Sequence, residues 1–186
     1  MVALLAITLD GYLARAEGSV DFLDDHPVEE FDFVEFSETI DGLVMGRSTY
    51  EQTVGFGWTC GARPTTVLTT RQDLDVPDGA DIRFSAEPTA DAIRTLAAEC
   101  EQRVWVFGGG CVVTDGILGG AVDTLDLTIV PEVLGSGIPL FAAPVPGPFR
   151  LVDSIRYSGG AIIEGAALKT KGEGYHPVGS PVTVKM

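Results

Sequence analysis

Seven residues constrain this chain more than any others: Val104-Trp105-Val106-Phe107-Gly108-Gly109-Gly110. A run of large apolar residues without alternation is the pattern of a strand buried on both faces, as inside a parallel sheet. Three glycines end it, and Cys111 to Leu118 reads as a short helix. A glycine turn from a buried strand into a helix presents bare backbone N–H groups at the helix N-terminus. Such a turn suits a phosphate or pyrophosphate. It is also what any tight turn needs, because glycine alone adopts positive φ freely. These seven residues leave both readings open.

The flanking sequence supplies the rest of a sheet. Val2 to Leu9 is near-continuously apolar and reads as a central first strand, left through a turn at Asp10-Gly11. Pro27 can open a helix whose stripe is Val28, Phe31, Val34 (with Phe33) and Ile40. Leu43-Val44-Met45 is a short buried strand, after which Ser48 or Thr49 can cap a second helix. Gly55 to Gly61 is a loop around Trp58, and both Trp58 and Tyr50 can either stack on a ligand ring or simply pack. Thr65 to Thr70 and Ile82 to Phe84 are strands, and Pro88 starts a helix through Ile93, Leu96, Ala97 and Cys100. Val122 to Pro131 alternates Leu125, Leu127 and Ile129 with Asp126 and Thr128. A glycine- and proline-rich irregular stretch follows. Phe149 to Tyr157 and Ala161 to Lys169 then form two strands joined at Gly159-Gly160.

Strands alternating with helices and closing on a hairpin predict an α/β fold with a mostly parallel sheet. Residues 1–171 read as one domain and 172–186 as a C-terminal arm or tail. The net charge of −15 argues against non-specific nucleic-acid binding, which needs a basic footprint. Lys169, Lys171 and Lys185 are the only lysines, and the acidic surface has two readings, a high-salt solvent in which self-repulsion is screened or an ordinary acidic protein. No apolar run is long enough to span a bilayer, and the opening residues lack a basic leader region. Three scattered cysteines, Cys60, Cys100 and Cys111, fit a reducing cytoplasm better than a disulfide framework.

In parallel sheets ligands gather at the carboxyl ends of the strands. Three strand ends carry matching chemistry: Gly46-Arg47-Ser48-Thr49, Thr69-Thr70-Arg71 and Gly108-Gly109-Gly110. Backbone amides, hydroxyls and guanidinium groups together are what a phosphorylated nucleotide cofactor requires. No metal cluster or nucleophile–base pair is evident.

Four segments in this order resemble the dihydrofolate reductase-like superfamily, and in particular the reductase domain of riboflavin-biosynthesis deaminase/reductases and its stand-alone relatives. They are Thr8 to Ala14, Val44 to Glu51, Val104 to Gly110 and Leu134 to Phe141. The resemblance implies a three-layer α/β fold that binds NADPH across the strand ends, often as a homodimer. It implies that Gly46, Arg47, Ser48 and Thr49 hold the cofactor at a helix N-terminus, with Arg47 at the adenosine 2′-phosphate. Thr69, Thr70 and Arg71 would line the adenosine side. Phe107, Gly108, Gly109, Gly110, Cys111 and Val112 would pass under the pyrophosphate and nicotinamide ribose. Ala6 and Leu13 would offer backbone groups to the nicotinamide. Arg47 has a second reading from its spacing alone, a surface pair with Glu51 one turn along the same helix.

On the substrate side the resemblance implies a carboxylate on the helix before the Met-Gly-Arg strand. Glu30 falls closest and Asp32 is near, while Glu30 as an ordinary solvated helix residue remains open. The resemblance also implies that Thr128 supports that carboxylate. Asp10 sits beside the nicotinamide end, within reach of a substrate. The activity implied is hydride transfer from NADPH to a small heterocycle, pterin-like or a ribosylamino-pyrimidine phosphate. The competing expectation is a nucleotide-binding or dimeric interaction protein without catalysis, since one fold hosts many functions. A Rossmann domain is disfavoured, because Thr8-Leu9-Asp10-Gly11 stands where its glycine fingerprint belongs.

Overall fold

The computed structural model describes residues 1–26, 33–145, 147, 149–156 and 162–168. In chain order the elements are β1 (Val2–Thr8), β2 (Tyr12–Ala14), α1 (Phe33–Glu38), β3 (Ile40–Gly46), α2 (Arg47–Gly55), β4 (Thr65–Leu68), β5 (Ile82–Ser85), α3 (Thr89–Glu99), β6 (Arg103–Gly108), α4 (Gly110–Leu118), β7 (Thr124–Val130), β8 (Ile138–Pro139), β9 (Phe149–Arg156) and β10 (Ile162–Leu168). A 3-10 turn, Asp21–Asp25, precedes α1.

Eight strands form one sheet in the order β5-β4-β3-β6-β1-β7-β10-β9. The first six are mutually parallel, and β10 and β9 add on antiparallel. β1 is therefore central, as its unbroken apolar run predicts, with Val2 and Ala3 almost wholly buried. One face of the sheet packs Ala3, Val44, Val104 and Val106 against Ile93 and Leu96 of α3 and Val113 and Ile117 of α4. Each of the larger side chains contributes about 1.5–3 kcal/mol by leaving water. The other face carries Val2, Leu43, Met45, Val67 and Trp105, covered by Phe36 of α1 and Tyr50 of α2. The result is three layers around a mostly parallel sheet, the predicted architecture.

Three local expectations are corrected. Ile40 is not on the α1 stripe. The Thr39 hydroxyl donates to the Phe36 carbonyl at 2.7 Å and ends the helix, and Ile40 opens β3 opposite Arg103. Within α1 it is Phe36 that is buried, while Phe33 and Val34 are exposed. Neither Ser48 nor Thr49 caps α2, because β3 runs straight into it and Gly46 is the cap. A Cβ at Gly46 would lie 3.2 Å from the Val112 Cγ2, so that close approach favours glycine. Finally, the stretch after Pro131 is not wholly irregular: Ile138–Pro139 pairs antiparallel with Tyr12–Ala14. The expected tail, the Gly159-Gly160 turn and Glu30 lie outside the described residues.

Candidate functional site

The carboxyl ends of β1, β3, β4 and β6 open on one edge of the sheet, where two helices begin side by side. α2 starts from Gly46 and α4 from Gly109, and no side chain caps either. A Cβ built on Gly46 would lie 4.0 Å from the Gly109 nitrogen, so the two N-termini converge on the same space. Each helix start presents first-turn N–H groups that have no acceptor within the helix. The first intrahelical bond of α4 is Val113 to the Gly109 carbonyl at 3.1 Å. The amides of Gly110, Cys111 and Val112 therefore face outward at the positive end of the helix dipole.

Gly108 and Gly109, joined by a cis peptide, form the floor between the helices. The Thr49 hydroxyl lies 3.9 Å from a Cβ on Gly108 and 3.6 Å from one on Gly109. Gly108 also has φ +124°, a conformation that L side chains rarely adopt. Gly110 plays another part. A Cβ there would strike the Pro139 and Leu140 carbonyl oxygens, at 2.4 and 2.9 Å, with Leu13 Cδ1 at 3.4 Å. Gly110 is thus the seat on which the β2–β8 ribbon rests. Thr114 pins the same junction, donating to the Gly110 carbonyl at 2.7 Å and accepting the Ala142 amide at 2.9 Å. Val112 is buried against Gly46, whereas the Cys111 side chain is exposed.

At one end of this edge Arg47 and Arg71 come together from different elements, both facing Glu51. Arg47 Nε is 3.9 Å from Glu51, the helix partner its spacing allows, and Arg71 is also 3.9 Å from Glu51. Arg71 makes two shorter bonds to Asp73, at 2.9 and 3.0 Å, which hold the Asp73 carboxyl below its usual range. Its amide donates to the Thr69 hydroxyl at 3.0 Å, fixing the turn that carries it. Ser48 and Thr70 are exposed beside these groups. Asp73 carries no local sequence signal as an arginine partner. Only the i, i+4 spacing pointed to Glu51, as Arg47's partner.

The other side is built differently. Ala6 lies directly opposite Thr128 across the β1–β7 ladder, on the sheet face that α1 covers. Two residues back, Asp126 is nearly buried, with Arg103 Nη2 at 3.7 Å and the Arg103 guanidinium 5.9 Å from the Phe36 ring centre. The alternation of β7 would leave Asp126 facing solvent, but Arg103, itself against Phe36 of α1, covers it. Asp10 accepts the Thr8 hydroxyl at 2.6 Å and the amides of Leu134 and Gly135 at 3.3 and 2.7 Å. These bonds, the Thr8 hydroxyl first, hold its carboxyl below the usual range. Asp10 thereby ties the loop after β7 to the end of β1. Tyr50 and Trp58 pack on each other edge to face, and the Tyr50 hydroxyl donates to the Asp75 carbonyl at 2.6 Å. Burial pushes the Tyr50 hydroxyl up. Tyr50 is a packing residue.

A parallel sheet with two glycine-started helices at its carboxyl edge, flanked by arginines and closed by an antiparallel pair, has the dihydrofolate reductase-like architecture. Residues 1–163 match the RibD C-terminal domain family, and the chain belongs to it. YwjB of Bacillus subtilis, an uncharacterized protein, is 32% identical over 141 residues, covering 75% of this chain and 81% of that one. Among solved structures, a riboflavin-biosynthesis candidate from Shewanella sp. PV-4 superposes with a TM-score of 0.76 at 27% identity, covering 91% of this chain and 98% of that one. Dihydrofolate reductase from Enterococcus faecalis, solved with NADP(H) and RAB-propyl, shares the fold with a TM-score of 0.61 at 20% identity, covering 91% of this chain and 96% of that one. No helix among the described residues is long and apolar enough to cross a membrane.

Proposed function

We propose that this protein is an NADPH-dependent reductase of a small heterocyclic substrate, either pterin-like or a ribosylamino-pyrimidine phosphate. One observation carries the reading: two uncapped, glycine-started helix N-termini converge, so that a Cβ on Gly46 would lie 4.0 Å from the Gly109 nitrogen, with two arginines at one end of the same edge. That donor set fits a dinucleotide with an extra phosphate, because amides suit a pyrophosphate and guanidinium groups suit a terminal phosphate. The Enterococcus enzyme of the same fold, solved with NADP(H), supports the choice of cofactor.

In this reading Gly46, Ser48 and Thr49 at α2 and Gly108 to Val112 at α4 hold the pyrophosphate, and Phe107 lies just before that floor. Arg47, Arg71, Thr69 and Thr70 take the adenosine side, with Arg47 at the 2′-phosphate. Ala6 and Leu13 bound the nicotinamide end. NADPH supplies the hydride when bound. The chain's own task is to align the reacting carbons and exclude water, a matter of position rather than covalent chemistry. On the substrate side we assign Glu30 and Thr128 to orient the heterocycle and Asp10 to shape the loop that borders it. A homodimer through the β9 edge completes the proposal, together with a cytoplasmic location.

The test is turnover. NADPH oxidation is followed with dihydrofolate and with a diaminopyrimidine ribosylamino phosphate in parallel. Steady consumption with either supports the reading. Tight NADPH binding with no turnover on both would leave a nucleotide-binding protein without this activity.

A further inference from the structure

Glu51 occupies an unusual position between the two arginines. Its Oε2 is 3.9 Å from the Arg47 Nε, and its Oε1 is 3.9 Å from Nη1 of Arg71. Neither contact is a hydrogen bond, since guanidinium–carboxylate bonds run about 2.7–2.9 Å. Asp73 shows the contrast: it takes two well-formed bonds from Arg71 and sets that side chain's direction. Arg47 has no nearer acceptor among the described residues. Glu51 therefore balances two guanidinium charges without being bonded to either. All three side chains are about half exposed, at 46% each, so each pair is weak and readily exchanged.

We propose that Glu51 is a specificity-determining residue, a built-in anion that stands between Arg47 and Arg71 until a phosphate monoester on the ligand's ribose replaces it. The proposal rests on the cofactor reading above. A phosphate monoester carries nearly twice the charge of a carboxylate and three acceptor oxygens, so it can form the forked bonds that Glu51 does not. Binding then separates Glu51 from its two partners and leaves it beside the incoming anion. A ligand with a free 2′-hydroxyl displaces nothing and meets no such opposition. Glu51 thus holds down the preference for the phosphorylated ligand that the two arginines set up.

The probes are adenosine 2′,5′-bisphosphate and adenosine 5′-monophosphate, which test this corner without the nicotinamide. Both are titrated calorimetrically against wild type, Glu51→Gln and Glu51→Asp, with melting curves to establish that each variant is folded. We expect Glu51→Gln to bind the bisphosphate about two- to fivefold more tightly, the gain from removing one exposed charge opposition. The monophosphate should be unchanged, Glu51→Asp should resemble wild type, and the gain should shrink in high salt. If wild type prefers the bisphosphate but Glu51→Gln binds it equally or more weakly, Glu51 only props the arginines; this inference fails and the cofactor reading stands. If wild type shows no preference, the cofactor reading fails and this inference with it.

Discussion

The edge proposed for the cofactor and the edge proposed for the substrate are made of different materials. The first is built largely from backbone: Gly46, Gly108, Gly109 and Gly110 let two helix starts and a ribbon approach closely, and the arginines Arg47 and Arg71 with nearby hydroxyls add the side chains. The second is built from side chains on several elements, with Asp10 reaching loop 134–135 and Thr128 and Asp126 on β7, Asp126 beside Arg103. A backbone cradle recognises what all dinucleotides share. A side-chain wall can vary from one relative to the next, which is how one scaffold serves several heterocycles.

If that contrast holds, the glycines of the cradle should differ sharply from one another. Gly110→Ala puts a methyl group into the Pro139 and Leu140 carbonyls. We expect it to destabilise the fold by about 1–3 kcal/mol, read as a lower denaturation midpoint. Gly109→Ala meets only the Thr49 hydroxyl at ordinary contact distance. It should fold as wild type and weaken NADPH and NADH alike in a binding titration. Equal stability of the two variants would break the comparison.

On the substrate edge, Thr128→Val keeps the shape and removes the hydroxyl. It should lower kcat/KM about two- to tenfold, the worth of one hydrogen bond, with cofactor affinity unchanged. A loss of NADPH affinity instead would merge the two regions. The smallest effect is expected for Asp10→Asn, whose oxygens meet an exposed loop. The Asp10 carboxyl is held below its usual range when folded, so its contribution is present above the unfolded carboxylate range and is lost as pH falls through the folded value. Asp10→Asn should therefore melt slightly below wild type at neutral pH, and the gap should close in acid. A gap that stays constant in acid would show that the charge of Asp10 plays no part.

The same contrast explains what could be read from the sequence. The apolar runs of β1 and β6, the glycine triplet and Met45-Gly46-Arg47 are local patterns, and each carries its own strand, turn or helix start. Their order implied the fold and the glycine-lined edge to which the cofactor is proposed to bind. Contacts between distant segments left no such trace. Nothing local shows that Pro139 lies on Gly110 or that Asp10 caps loop 134–135. Asp126 reads as a solvent-facing residue until Arg103, itself against Phe36 of α1, is seen to cover it. α1 is ambiguous in sequence because Phe33, Val34 and Phe36 fit more than one apolar face; Phe33 and Phe36 both meet Trp105 edge-on, but only Phe36 is buried beneath the helix.

Arg47 tests most directly whether this edge is a phosphate-reading dinucleotide site. Both NADPH and NADH are titrated against wild type and Arg47→Ala at moderate salt, following Trp58 and Trp105 fluorescence. One guanidinium–phosphate contact is worth about 1.5–3 kcal/mol, so wild type should prefer NADPH by roughly tenfold to a hundredfold. Arg47→Ala should erase most of that preference by weakening NADPH and leaving NADH nearly unchanged. If the substitution weakens both cofactors equally, Arg47 is a structural partner of Glu51. If wild type binds neither, the glycines after β6 form only a turn.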